Sequence, residues 1–184
     1  MKKPLTLLLG VSLASLAHAQ IFTNFDVTIN VAQEVPTGGG RSGSGSATIT
    51  LDTNSNVLTI QSLTFSGLSG NWSAAHFHGP AGIGTNAGVL YNLGPLITPG
   101  ANTATFGSIT AANVTMVNNP NGSGFTIAQQ LSQLQAGLWY VNIHSTTFGG
   151  GEIRGQIIPV PEPATWALLG LGAAGLICHR ARRR

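Results

Sequence analysis

Apolar and polar residues alternate along most of this chain, and the alternation predicts strands. In Phe25-Asp26-Val27-Thr28-Ile29-Asn30-Val31 the odd positions are apolar and the even ones polar. Successive side chains of a strand point to opposite faces, so one face enters a core and the other meets water. Ala47, Ile49 and Leu51 repeat the pattern, Leu58 to Phe65 supplies another β-rich run, and Gly88 to Leu93 and Thr103 to Ile109 give shorter ones. Trp139, Val141 and Ile143 alternate with Tyr140, Asn142 and His144. Glu152 to Ile158 follows a Gly149-Gly150-Gly151 turn, and the two runs predict a hairpin. One segment changes period. Ile127, Leu131 and Leu134 fall at helical spacing, Thr126 and Gln129 have the spacing of a capping box, and Gly137 can end the helix in the left-handed conformation. Gly38 to Gly45 and Asn118 to Gly124 are polar, glycine-rich loops. Many short strands, glycine-rich turns and one short helix predict an all-β fold, a Greek-key β-sandwich or barrel.

The two ends follow other rules. Lys2 and Lys3 form a basic start, Leu5 to Leu16 an apolar stretch, and Ala17-His18-Ala19 a small-x-small cleavage site with Ala17 and Ala19 as its small residues. Together they predict a secretory signal peptide over 1–19 and a mature chain from Gln20. At the other end Pro161-Glu162-Pro163 precedes an apolar run from Ala164 to Ile177, and Arg180, Arg182, Arg183 and Arg184 close the chain. Such a run enters a bilayer while terminal arginines stay cytoplasmic, which leaves the main chain outside. Its 14 residues fall short of the ~20 of a settled spanning helix. Residues 164–177 are therefore expected to hold the membrane transiently, with an ordinary C-terminal anchor as the alternative. The chain divides into a signal peptide at 1–19, a β domain at 20–160 and a tail with a hydrophobic helix at 161–184.

Setting both ends aside changes what the charge means. The whole chain carries a formal +3, but the core has Arg41 and Arg154 against Asp26, Glu34, Asp52 and Glu152, a net −2. Nucleic-acid binding needs clustered Lys and Arg against phosphates and is not expected. The single cysteine, Cys178, lies in the tail. With no disulfide framework, stability must come from a hydrophobic core, which roughly 140 residues can bury.

Three histidines remain in the core as candidate chemistry. His76 and His78 flank Phe77, so on a strand both imidazoles point to one face and Phe77 to the other. His144, opposite in direction to Val141 and Ile143, could supply a third nitrogen. Three imidazoles suit Cu or Zn and leave a coordination position open. The alternative is that neutral histidines bond backbone groups and fix the loops beside them. Glu152 and Arg154 share one strand face; Glu34 or Asp26 could pair with Arg154, and Glu152 could orient an imidazole, the alternative being a structural charge pair near the rim of the sheet. Gly82-Ile83-Gly84 lacks the strand-to-helix setting of a dinucleotide loop. Gly43-Ser44-Gly45 lacks the partners of a nucleophile elbow.

Two resemblances are carried by particular residues. The tail resembles the PEP-CTERM sorting signal of exopolysaccharide-producing Gram-negative bacteria, with Pro161, Glu162 and Pro163 as its triplet. That resemblance implies export across the inner membrane to the cell surface or beyond, and cutting near the triplet by an exosortase-type enzyme. The core resembles a CHRD domain, the module named in chordin, through Gln33-Glu34-Val35-Pro36, Ala75-His76-Phe77-His78-Gly79-Pro80-Ala81, Tyr140-Val141-Asn142-Ile143-His144 and Gly151-Glu152-Ile153-Arg154-Gly155-Gln156. It implies a β-rich extracellular module and no particular reaction. The His-x-His strand is also similar to the copper strand of Cu/Zn superoxide dismutases. Three histidines cannot supply that family's four-histidine copper set and zinc site, so a dismutase is not expected. The first expectation is thus a non-catalytic exported protein of the envelope or matrix that binds polysaccharide or a surface protein. The second is a copper or zinc protein with His76, His78 and His144 as ligands.

Overall fold

The computed structural model describes residues 22–99 and 105–161. The signal peptide with Ala17 and Ala19, the sorting residues Glu162 and Pro163, and the hydrophobic run 164–177 lie outside the described residues. Within them are nine strands: β1 Phe22–Asn30, β2 Ser44–Asp52, β3 Val57–Ser66, β4 Trp72–His78, β5 Val89–Asn92, β6 Thr98–Pro99, β7 Gly107–Thr115, β8 Trp139–Ser145 and β9 Ile153–Ile157. One helix, α1, covers Ile127–Gln135. No helix among the described residues is long and apolar enough to cross a membrane.

All the strands join one antiparallel sheet in the order β5-β4-β8-β9-β1-β2-β3-β7-β6. Chain length forces this sheet to curl. Laid flat, the spacing of ~4.8 Å between strands would put its outer edges roughly 38 Å apart. Yet β5 at one edge is joined to β6 at the other by Leu93 to Ile97 alone, and such a linker spans at most about 22 Å. The edges must approach each other, so the sheet is a nearly closed barrel, the second form of the all-β fold expected from the sequence.

The apolar set of the alternation fills the barrel. Phe25, Val27 and Ile29 of β1 meet Ala47, Ile49 and Leu51 of β2, Leu58, Ile60, Leu63 and Phe65 of β3, and Phe77, Trp139, Val141, Ile143, Ile153 and Ile157 from the other half. Two details depart from simple alternation. In β3 the inward set shifts between Ile60 and Leu63, where the register with β2 slips by one residue (Ile49 opposite Ile60, Thr48 opposite Ser62); β7 keeps its register with β3 and breaks its own alternation beside it, around Ala111 at φ 49. That irregularity hides the strand character of Ala111 to Thr115, so β7 shares only Gly107 to Ile109 with the predicted Thr103 to Ile109 segment and runs on to Thr115, while Thr103 and Ala104 lie outside the described residues. The helix matches its signals. Thr126 caps it, Gln129 returns the bond to the Thr126 backbone, and Gly137 follows at φ 69.

The outer surface of the barrel differs between its halves. On β1, β2, β3 and β7 the polar set is largely exposed, as in the row Asp26, Thr48, Ser62 and Thr110. On β8 and β9 every residue is buried, outward polar side chains included. The water-facing hairpin face implied by alternation is instead a polar layer under loops.

Candidate metal centre

The loops that bury this layer are tied down by its own side chains. Arg154 donates to the carbonyls of Thr85 (2.8 Å) and Gly82 (3.3 Å), to Asn86 Oδ1 (3.3 Å) and to Gln156 Oε1 (3.1 Å). Gln156 Nε2 donates to the carbonyls of Ala81 and Gly137, and its backbone N–H donates to Gln33 Oε1. Glu152 Oε1 accepts from the Ser69 backbone and hydroxyl (both 2.6 Å) and from Ser42 N–H (3.2 Å). These charges act structurally: Arg154 clamps the 82–86 loop and feels the Glu34 carboxylate, and Glu152 clamps 42 and 69, while among the described residues neither has a hydrogen bond to an imidazole. A buried charge is tolerated because each is met by several hydrogen bonds.

In this layer the three predicted histidines come together. β4 runs antiparallel to β8 with His76 opposite Asn142, His78 opposite Tyr140 and Ala74 opposite His144. His76 and His144 are thus diagonal neighbours on one face, and the small Ala74 opposite His144 leaves space for the ring of His76. His76 Nδ1 lies 3.1 Å from His144 Nε2. One ligand nitrogen from each of His76, His78 and His144 lies within 4.8 Å of the others. Metal–nitrogen bonds of about 2 Å place two ligand nitrogens roughly 3 to 4 Å apart, so small side-chain movements close the set around one ion.

Hydrogen bonding fixes which nitrogens face one another. A carbonyl only accepts, so a ring nitrogen bonded to it carries the proton. His78 Nδ1 meets the Ala87 carbonyl at 3.0 Å and His144 Nδ1 meets the Gly149 carbonyl at 3.0 Å. Both Nε2 atoms are then lone pairs, and the proton between His76 and His144 sits on His76 Nδ1. His78 Nε2 is buried without a hydrogen-bond partner. Carbonyl-anchored imidazoles with the other nitrogen free are the usual arrangement around a metal.

Electrostatics favours the neutral form of His76 and His78, the form that ligation requires. Burial, with His144 and His78 nearby, lowers the His76 pKa to about 4. Burial also lowers that of His78, against the opposing pull of its bond to Ala87. His76 is half-buried while His78 and His144 are 7% and 8% exposed, so the set opens to solvent on the His76 side. Tyr140, Ala87 and Gly149 complete the site and were not singled out from sequence. Tyr140 had a signal, its shared face with His144; the two carbonyls had none, because any residue type provides one.

Similarity to known proteins agrees with both ends of this reading. Residues 25–157 match the CHRD domain and residues 159–184 match the PEP-CTERM protein-sorting motif. Comparison with curated proteins gave no match, and neither did comparison with solved structures. The four sequence segments that carry the CHRD resemblance supply the clamps Gln33, Arg154, Gln156 and Glu152 and all three imidazoles, and the match spans the whole barrel: the chain belongs to the CHRD domain family, in a form that ends in an exosortase sorting signal.

Proposed function

We propose that this exported protein binds one copper or zinc ion through His76 Nδ1, His78 Nε2 and His144 Nε2. The observation that carries the reading is the meeting of three imidazoles, two of them held through Nδ1 by carbonyls so that Nε2 turns its lone pair toward the others. Nitrogen donors without a thiolate suit zinc and copper better than the hard, oxygen-seeking cations. Three ligands leave an open position on the half-buried His76 side, where water or a small anion can bind. The role is that of a metal-holding module of the cell envelope rather than an established reaction.

The sorting motif implies export and exosortase processing. In the full reading, the chain crosses the inner membrane of a Gram-negative bacterium, is held briefly through 164–177, and is cut near Pro161, Glu162 and Pro163. Mass spectrometry of the secreted form tests that step: loss of the tail is expected, and an intact Arg184 contradicts it. Metal analysis after reconstitution with Cu(II) or Zn(II) tests the site. One ion per chain is expected, absent from a His76→Ala/His78→Ala variant; no ion in the wild type overturns it.

A second reading rests on the other half of the barrel. The exposed face of β1, β2, β3 and β7 is a lattice of hydroxyls and amides with the charge of Asp26 on its β1 side, suited to a neutral, hydroxyl-rich polysaccharide or a polar protein surface. Pull-down from native matrix is expected to retain such a partner. A protein that stays free of both polymer and protein counts against this reading.

A further inference from the structure

His78 is held on its flat face as well as at its edge. The ring of Tyr140 stacks on it with centroids 4.8 Å apart and planes 5° from parallel. Arg154 Cζ stands 3.4 Å from the centroid of the same Tyr140 ring. Both contacts are too close to share one face, so Tyr140 lies between the imidazole and the guanidinium. Its hydroxyl accepts from Ala87 N–H at 3.0 Å and donates to the Ala87 carbonyl at 3.3 Å. That carbonyl is the one that takes the His78 Nδ1 proton. Arg154 in turn holds Gly82, Thr85 and Asn86 of the same loop.

We infer that Tyr140, backed by Arg154, is a positioning residue for His78: its face sets the plane of the imidazole, and its hydroxyl, through Ala87, sets the tautomer that leaves Nε2 as a lone pair. A phenol that merely filled space would need one hydrogen-bond partner. This one bonds both polar groups of the residue that orients the ligand, while its ring covers the ligand itself. Outer partners of this kind fix ring orientation and raise ligand basicity. The consequence for metal affinity rests on the three-histidine reading; the consequence for the tautomer does not.

The test uses the ¹⁵N-labelled exported protein, metal-free, with imidazole nitrogen spectra followed by Zn(II) titration against a competing chelator. Wild type is expected to show His78 protonated at Nδ1 and bare at Nε2. Tyr140→Phe keeps the stack and removes the hydroxyl; His78 should become a mixture of tautomers and Zn(II) should bind about tenfold more weakly, toward the lower end of the 10–100-fold known for such partners. Tyr140→Leu removes the stack as well and should lose more, and Arg154→Lys should fall between wild type and Tyr140→Leu. Backbone amide spectra report whether each variant is folded, and Tyr140→Phe decides if the others are not. An unchanged His78 tautomer in folded Tyr140→Phe overturns the inference. A wild type with the expected tautomer and no Zn(II) binding overturns the metal reading instead, and the response of the tautomer to Tyr140→Phe then decides the positioning role alone.

Discussion

His76 Nδ1 and His144 Nε2 lie 3.1 Å apart across the β4–β8 pair, although 68 positions separate the residues in the chain. Because His144 gives its own proton to Gly149, the proton between the two rings belongs to His76, and a metal ion entering there takes its place. Ion binding should therefore stabilise the fold and not merely decorate it. With free Zn(II) at 100 times its dissociation constant, the unfolding free energy is expected to rise by about 2.7 kcal/mol. Urea denaturation with and without Zn(II) measures this, and the rise should vanish in His76→Ala/His78→Ala.

Acid should weaken the metal-free protein in two steps. His76 takes a proton near pH 4 in the fold, mainly because of burial and secondarily because of His144 and His78, and near 6.5 when unfolded; His78 shifts in the same direction. Between those values the unfolded chain binds more protons, so stability falls as pH drops from about 6.5 to about 4. For Glu152 burial pushes the pKa up, but the hydrogen bonds from Ser145, Ser69 and Ser42 prevail and hold it below its usual 4.5. Its contribution is present above that value and lost as pH falls below it, which adds to the same trend. Urea midpoints from pH 7.5 to 4.5 should decrease steadily, with a shallower decline in His76→Ala. A midpoint that stays level or rises contradicts this assignment.

Phe77 separates stability from the site. It sits between the two β4 histidines but points the other way, fully buried beside Trp139. Phe77→Ala removes a large core side chain and is expected to cost about 3–5 kcal/mol. The imidazoles stand on the opposite face, so Zn(II) affinity of the folded fraction should change little. Denaturation and chelator competition on the same sample check both halves.

Gly151 closes the loop over the polar layer at φ 123, where a side chain is strained. A Cβ there would stand 2.5 Å from Asn142 Nδ2 and 2.8 Å from Glu34 Oε2, two buried side chains with little space to retreat. Gly151→Ala should cost about 1–3 kcal/mol for the backbone and a similar amount for overpacking. A denaturation midpoint within error of wild type would contradict the tight closure of this loop.

Alternation in Phe25 to Val31, the capping pair Thr126 and Gln129, and the hairpin around Gly149 to Gly151 were readable from the chain because each depends on neighbours a few positions away. The same holds for the sorting motif, which acts as a short linear segment. β7 was read only in part, since the Ala111 irregularity breaks the period on which strand recognition rests. For the site, the sequence named all three imidazoles and put His76 and His78 on one face.

What the chain by itself determined is therefore local: which residues form strands, which side of each strand is apolar, where the helix is capped, and where the protein is sent. Only the tertiary structure decided that β4 lies beside β8 in the register that brings His144 to His76. It also decided that loops bury the outer face of β8 and β9, and that carbonyls of Ala87 and Gly149 select the free nitrogens. The reason is physical. A period of two fixes direction within one strand, whereas pairing, register and loop cover are settled by closing one core among segments far apart in the chain, and backbone carbonyls carry no side-chain signature.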